Sequence, residues 1–177
     1  MEGNLEKELV GEDQPSVLEA RARALALQTE AKDHFSTFDV VEFVLAQERY
    51  ALELKHIQEV CPLKNLTRLP WIPGYVFGIM NVRGRILSVL DLKVFFGLPE
   101  TDITGHTRVV ILQAPHMEFG ILADDILGIR SIEKERMQTS VPMLTDKRAL
   151  YVCGITPDRT VILDGAKLLS DETLIVQ

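Results

Sequence analysis

Residues Phe77–Leu92 read FGIMNVRGRILSVLDL. Two apolar runs flank Asn81, Arg83, Gly84 and Arg85. Val76–Val82 and Arg85–Leu90 therefore read as two almost wholly buried strands of one hairpin. Gly84 supplies the turn, because a residue without Cβ takes positive φ at no steric cost. A turn needs only that glycine, so the cation beside it, Arg83, calls for a separate reason. Arg85 reads as a solvated turn residue. Asp91 is placed to cap a short helix over Leu92–Phe96, with Gly97 to end it and Pro99 beyond.

The same alternation of short apolar runs and turn residues continues on both sides. Phe38–Leu45 and Arg49–Leu54 predict a hairpin about Gln47–Glu48. Arg108–Gln113 and Met117–Ala123 predict another, with Ala114–His116 between them. Leu150–Ile155 and Thr160–Leu163 predict a last one around Thr156–Arg159. Roughly nine or ten strands at short, regular intervals predict an all-β fold built as a sandwich or as small barrels. No strand–helix–strand alternation points to a parallel α/β sheet. Short helical pieces are expected at Glu133–Met137 and Ala166–Leu169, and a loop at Ser140–Arg148. Residues 1–36 differ from the rest and read as an N-terminal extension; 37–177 form the main domain. In the extension, Ser16-Val17-Leu18-Glu19 fits a capping box. Val17, Ala20, Ala24, Leu27, Ala31 and Phe35 then share one thin, alanine-rich helix face that ends at Phe35.

Composition narrows the function. Of 177 residues, 19 are basic and 26 acidic, a formal net charge of −7. Such a chain is poorly suited to phosphate backbones, which draw on clustered Lys and Arg. MEGNLEKELVGEDQPS has no apolar core and does not read as a secretory signal, and no apolar run is long enough to span a bilayer. The expectation is a soluble, cytoplasmic protein with Cys61 and Cys153 as two buried thiols. His34, His56, His106 and His116 sit in separate segments, outside any metal-ligand spacing. No phosphate-binding loop, dinucleotide fingerprint or nucleophile elbow is present. Asp124 and Asp125 follow an apolar strand, where neighbouring side chains diverge. Asp124 thus reads as a turn or buried-network residue, not half of an acid–base pair. No enzyme, metal or cofactor chemistry emerges. Leu69-Pro70-Trp71-Ile72-Pro73-Gly74-Tyr75 reads as a proline-stiffened loop folded back on the core, with a rigid apolar docking surface as the alternative.

The order of these features resembles the chemotaxis coupling protein family, CheW. The resemblance rests on Phe43-Val44-Leu45, Tyr50-Ala51-Leu52-Glu53-Leu54, Ile57-Gln58-Glu59-Val60, and Thr67-Arg68-Leu69-Pro70 with Pro73. It continues through Gly78-Ile79-Met80-Asn81-Val82-Arg83-Gly84, Ser88-Val89-Leu90-Asp91-Leu92 and Gly120-Ile121-Leu122-Ala123-Asp124, and closes on Gly154-Ile155 with the Leu163 strand. Ser88 stands where proline is usual, and Ala123 where valine is usual. The resemblance runs from about Phe38 to Leu169 and leaves the N-terminal helix unexplained. It implies two small five-stranded SH3-like barrels packed together, with no catalysis and no cofactor. It also implies an adaptor that links the regulatory domain of the histidine kinase CheA to the cytoplasmic tips of methyl-accepting chemoreceptors, in arrays at the inner face of the membrane. Barrels of adaptor and kinase would pair end to end, and the receptor's helical tip would dock in an apolar groove between barrels. By position, receptor contact falls on Ile57, Glu59, Val60, Gly78 and Arg83. Two other readings stay open: the same adaptor fold in a non-flagellar chemosensory pathway, and a nucleotide-binding barrel protein.

Overall fold

The computed structural model describes residues 36–139 and 147–174. The expected helix over Ser16–Phe35, and most of the expected loop at Ser140–Arg148, lie outside the described residues. Among the described residues, eleven strands form two sheets. One sheet has five strands, in the order β10 (Val152–Ile155), β11 (Val161–Leu163), β2 (Glu48–Glu53), β1 (Thr37–Leu45) and β9 (Asp125–Glu133). The other has six: β3 (Ile57–Pro62), β7 (Arg108–Ala114), β8 (Met117–Ala123), β6 (Arg85–Leu90), β5 (Val76–Val82) and β4 (Leu66–Thr67). The mostly β fold is as expected. The sixth strand departs from five strands per sheet: β4 is a two-residue strand added along β5. All pairings are antiparallel except β11 with β2 and β6 with β8.

The chain changes sheet twice. A 3-10 turn at Leu54–His56 carries it from β2 to β3, and Asp124 carries it back from β8 to β9. One sheet is thus built from the ends of the described chain and the other from its middle. Each has a small apolar cluster of its own. Val40, Ala51, Ile132 and Ile162 fill the first. Met80, Val82, Leu87, Val89, Val109, Ile111 and Leu122 fill the second. A larger cluster joins Phe43, Leu45, Tyr50 and Leu52 of the five-stranded sheet to Leu90, Val110, Leu112 and Ile121 of the six-stranded one.

Two helices close over that shared core. Helix α1 (Leu92–Phe96) begins where Asp91 Oδ1 accepts from the Lys93 N–H at 2.9 Å, and ends at Gly97, φ +69. Helix α2 (Gly165–Ser170) begins where the Asp164 carboxylate accepts from the Lys167 N–H. The expected helix at Glu133–Met137 is a single 3-10 turn, Lys134–Arg136. Leu150 belongs to a 3-10 segment, Lys147–Tyr151, instead of to a strand. β9 escapes sequence reading because its apolar residues sit at irregular steps around Gly128, where the pairing with β1 slips at Glu42/Phe43.

The first hairpin turns at Ala46–Gln47, one residue earlier than expected. Both residues have positive φ, +49 and +70, as a two-residue type I′ turn requires, and Ala46 N–H donates to Asp124 Oδ2 at 2.8 Å. Cys61 is half-buried and Cys153 exposed, so the pair of buried thiols is not found. Cys153 sits on β10, the end strand of its sheet, which pairs with β11 on one flank and meets only the Gln138 bridge on the other. Among the described residues no helix is long and apolar enough to cross a membrane.

Candidate functional site

The hairpin of β5 and β6 has the strands expected for it, and its turn explains why Arg83 is unusual. Arg83 and Gly84 both take positive φ, +51 and +84. The type I′ turn therefore demands the left-handed region of the arginine as well, where Asn or Gly is the usual occupant. Asn81 steadies the turn by accepting from the Gly84 N–H at 2.9 Å.

The Arg83 guanidinium reaches the Glu59 carboxylate at 2.8 Å. Arg85 is not a solvated turn residue. It pairs with Glu118 at 2.6 Å and donates to Gln58 Oε1 at 3.1 Å. Glu59 and Gln58 lie on β3, three places from β6 in the strand order. In a flat sheet that is about 14 Å of separation. The contacts form because the twisted sheet curls and brings its β3 edge toward the hairpin tip. The five-stranded sheet curls too: beyond β9, Gln138 and Ile155 of β10 exchange both backbone hydrogen bonds at 2.9 Å.

Along β3 burial alternates. Ile57, Glu59 and Cys61 are half-buried; Gln58, Val60 and Pro62 are exposed. Ile57 packs against the shared core and Cys61 against the six-stranded sheet's own cluster. Burial, and after it the Glu59 carboxylate, pushes the Cys61 thiol above its ordinary value. The thiol stays protonated, a poor nucleophile. Val60 is 38% exposed, and Ile86, two residues past the turn, is 69% exposed.

Of the five residues singled out by position, Arg83 and Glu59 touch, and Ile57 and Val60 share a strand with Glu59. Gly78 lies elsewhere, on β5 five residues before Arg83. It is buried, and a Cβ there would stand 2.5 Å from the Thr67 carbonyl oxygen of β4. Arg85, Gln58, Glu118 and Ile86 extend the Arg83 neighbourhood. No sequence motif marks them, since only the curl of the sheet brings them together.

Asp124, read as a turn or buried-network residue, is half-buried and centres a hydrogen-bond network at the β8–β9 junction. Its carboxylate accepts from Lys93 Nζ at 2.5 Å, Thr101 Oγ1 at 2.7 Å and the Ala46 N–H. Burial alone would raise its pKa, but these donors outweigh burial and hold it below the ordinary aspartate value. His106 and His116 lie on the surface, while His56 is half-buried against Gly165. Among the described residues no three His, Cys, Asp or Glu side chains gather as a metal site would require. A concavity of about 370 Å³ includes Phe38, His56, Met137 and Cys153 in its wall and none of the five residues above.

The CheW-like domain model matches residues 39–173. The chain is similar to a Chemotaxis protein CheW of Treponema pallidum (strain Nichols), 28% identical over 77% of this chain and 85% of that protein. It is also similar to Protein FrzA of Myxococcus xanthus, 33% identical over 62% of this chain and 66% of that protein. Among solved structures it is similar to the scaffolding protein TtCheW from Thermoanaerobacter tengcongensis. That likeness has a TM-score of 0.66 and 28% identity, and covers 72% of this chain and 89% of that one.

Proposed function

The chain belongs to the CheW-like family, and on that premise we propose that it is a non-catalytic adaptor joining chemoreceptor tips to the histidine kinase CheA. A chemotaxis scaffold works by presenting surfaces, and the side chains gathered around Arg83 suit that work. One observation carries the reading: Arg83 is held in an unfavourable left-handed turn, and its side chain remains 77% exposed while it touches Glu59. Strained backbone tends to cluster at functional positions. The guanidinium keeps donors free beside Glu59 for a carboxylate or carbonyl of the docked tip. Val60 and Ile86 supply exposed apolar contact nearby, and Ile57 sits on the same strand. Gly78 serves by shape, because its missing Cβ lets β4 close down on β5.

In this reading residues 37–177 form the CheW-like domain and 1–36 an extension. The two curled sheets are the two SH3-like barrels of the family, which pair end to end with the regulatory domain of CheA. The protein then works in the cytoplasm, in receptor arrays at the inner face of the membrane. Co-sedimentation with receptor-bearing membranes and CheA tests this directly. Arg83→Glu places a carboxylate against Glu59 and is expected to lower receptor coupling about tenfold or more, with circular dichroism unchanged and the urea midpoint only slightly lower. Full coupling by the variant, or wild-type protein that binds neither receptor tip nor CheA, would overturn the reading.

A further inference from the structure

Trp71, the sequence's only tryptophan, is fully exposed instead of folded back on the core. Its loop is pinned before Trp71 by the pairing of β4 (Leu66–Thr67) with β5, and after it by the residues that follow. Ile72 and Tyr75 pack against the shared core, and the Pro73 carbonyl accepts from the Val76 N–H at 2.9 Å. The Tyr75 ring meets Phe95 edge-on with centroids 5.2 Å apart, and its hydroxyl donates to the Thr173 carbonyl. Between these pins Trp71 takes φ +62, a conformation that an indole-bearing residue rarely adopts. The loop therefore holds the indole outward. So exposed, the indole buries no surface in the isolated chain, and an aromatic on strained, fixed backbone is the kind of anchor that interfaces use.

The charge of the surrounding sequence is one-sided. From Val60 to Leu90 the sequence has Lys64, Arg68, Arg83 and Arg85 and no Asp or Glu, in a chain of net charge −7. Arg83 and Arg85 are paired with Glu59 and Glu118. Arg68 stacks its guanidinium 4.2 Å from the centre of the Phe77 ring and is exposed, as is Lys64. Neither has a carboxylate partner among the described residues. Two residues, Leu69 and Pro70, stand between Arg68 and Trp71, a span of at most about 11 Å of chain.

We propose that Trp71, Arg68 and Lys64 form a second docking surface that binds an acidic segment of a partner protein. An apolar side chain of that segment packs on the indole, and its carboxylates meet the two unpaired cations. An anionic bilayer fits less well, since the net charge of the chain opposes it and two cations attract it only weakly. Arg83→Glu, which tests the receptor reading, leaves Trp71, Arg68 and Lys64 in place, so the two readings fail separately.

Because Trp71 is the only tryptophan, the fluorescence of the full-length chain reports this surface directly. The probe is a synthetic amphipathic peptide of Glu and Leu; its comparisons are the same peptide with Lys for Glu, and phosphatidylglycerol vesicles. Free protein is expected to emit as an exposed indole, quenched more by iodide than by caesium because the neighbouring charge is positive. The glutamate peptide is expected to give a saturable blue shift that salt weakens. Arg68→Glu, and separately Lys64→Glu, are expected to weaken binding about tenfold, while Lys167→Glu on α2 leaves it unchanged. Four outcomes overturn the proposal: no shift with the glutamate peptide, an equal shift with the lysine peptide, a shift with vesicles only, or shielded emission in the free protein.

Discussion

Arg83 and Gly78 both serve the β5–β6 hairpin, but their substitutions should differ in effect. The left-handed backbone at Arg83 costs about 1–2 kcal/mol. Its ion pair with Glu59 is mostly exposed and contributes at most about 1 kcal/mol. The two roughly cancel, so Arg83→Asn should leave the urea midpoint unchanged or slightly higher. A clear loss of stability would make Arg83 a structural residue instead of a docking one. Gly78 is the reverse. Thr67 crosses so close that the 2.5 Å gap admits no Cβ. Gly78→Ala must push β4 away, and overpacking of this kind costs about 1–3 kcal/mol. The expected result is a lower urea midpoint and faster amide exchange at Leu66 and Thr67. An unchanged midpoint would mean that β4 moves aside freely. Sequence pattern marks Gly84 as a turn residue and Arg83 as out of place. It gives no reason for Gly78, because β4 is too short to register as a strand.

Among the elements, helix α1 shows how a polar group is held inside an apolar shell. Lys93 is 1% exposed and ends on Asp124, with Asp91 at 3.9 Å. Asp124 also holds Thr101 and the Ala46 N–H of the first hairpin turn, so one carboxylate ties α1, the β1–β2 turn and the β8–β9 junction together. Asp124→Ala would leave the buried ammonium only the Asp91 carboxylate at 3.9 Å and should cost about 3 kcal/mol. Adding Lys93→Met should restore much of that loss, and failure to do so would show that the Ala46 and Thr101 bonds matter more than the charge pair. The pH dependence follows from the depressed pKa of Asp124. Its stabilisation is complete above the unfolded aspartate value of about 3.9 and is lost as pH falls through the lower folded value. Asp91 acts the other way: burial raises its pKa, so its ionisation costs stability as pH rises. Urea midpoints between pH 7 and pH 3 should therefore show a smaller acid loss in Asp124→Asn than in the wild type. The caps at Asp91 and Gly97 are legible in sequence because capping is local chemistry. The Lys93–Asp124 bond spans 31 residues, and only half of it, Asp124 as a network residue, can be read from the chain.

For the whole molecule the open question is whether two curled sheets with separate small clusters unfold separately. Hairpins, turns and an all-β class follow from alternating apolar runs, and the ordered family motifs identify the domain. Sheet membership does not follow. Periodicity cannot tell that β9 returns to pair with β1 across more than 80 residues of chain. Nor can it tell that β3 curls round to the β5–β6 turn, which is why Arg85 reads as solvated when it is paired. These non-local pairings also argue against separate unfolding. β1 and β2 cannot complete their sheet until β9 and β11 arrive after the whole six-stranded sheet. The two small clusters hold four and seven buried residues, whereas the shared cluster holds nineteen and draws on both sheets and both helices. Most apolar burial is thus common property. Leu52, fully buried in that cluster and paired with both Val41 and Leu163, is the sharpest probe. Leu52→Ala should cost about 2–5 kcal/mol. Under native conditions the slowest-exchanging amides of β7 and β8 should lose the same protection free energy as those of β1 and β2, although Leu52 belongs to the other sheet. If protection fell in the five-stranded sheet alone, the two sheets would be independent folding units, and the shared core would be an interface between them.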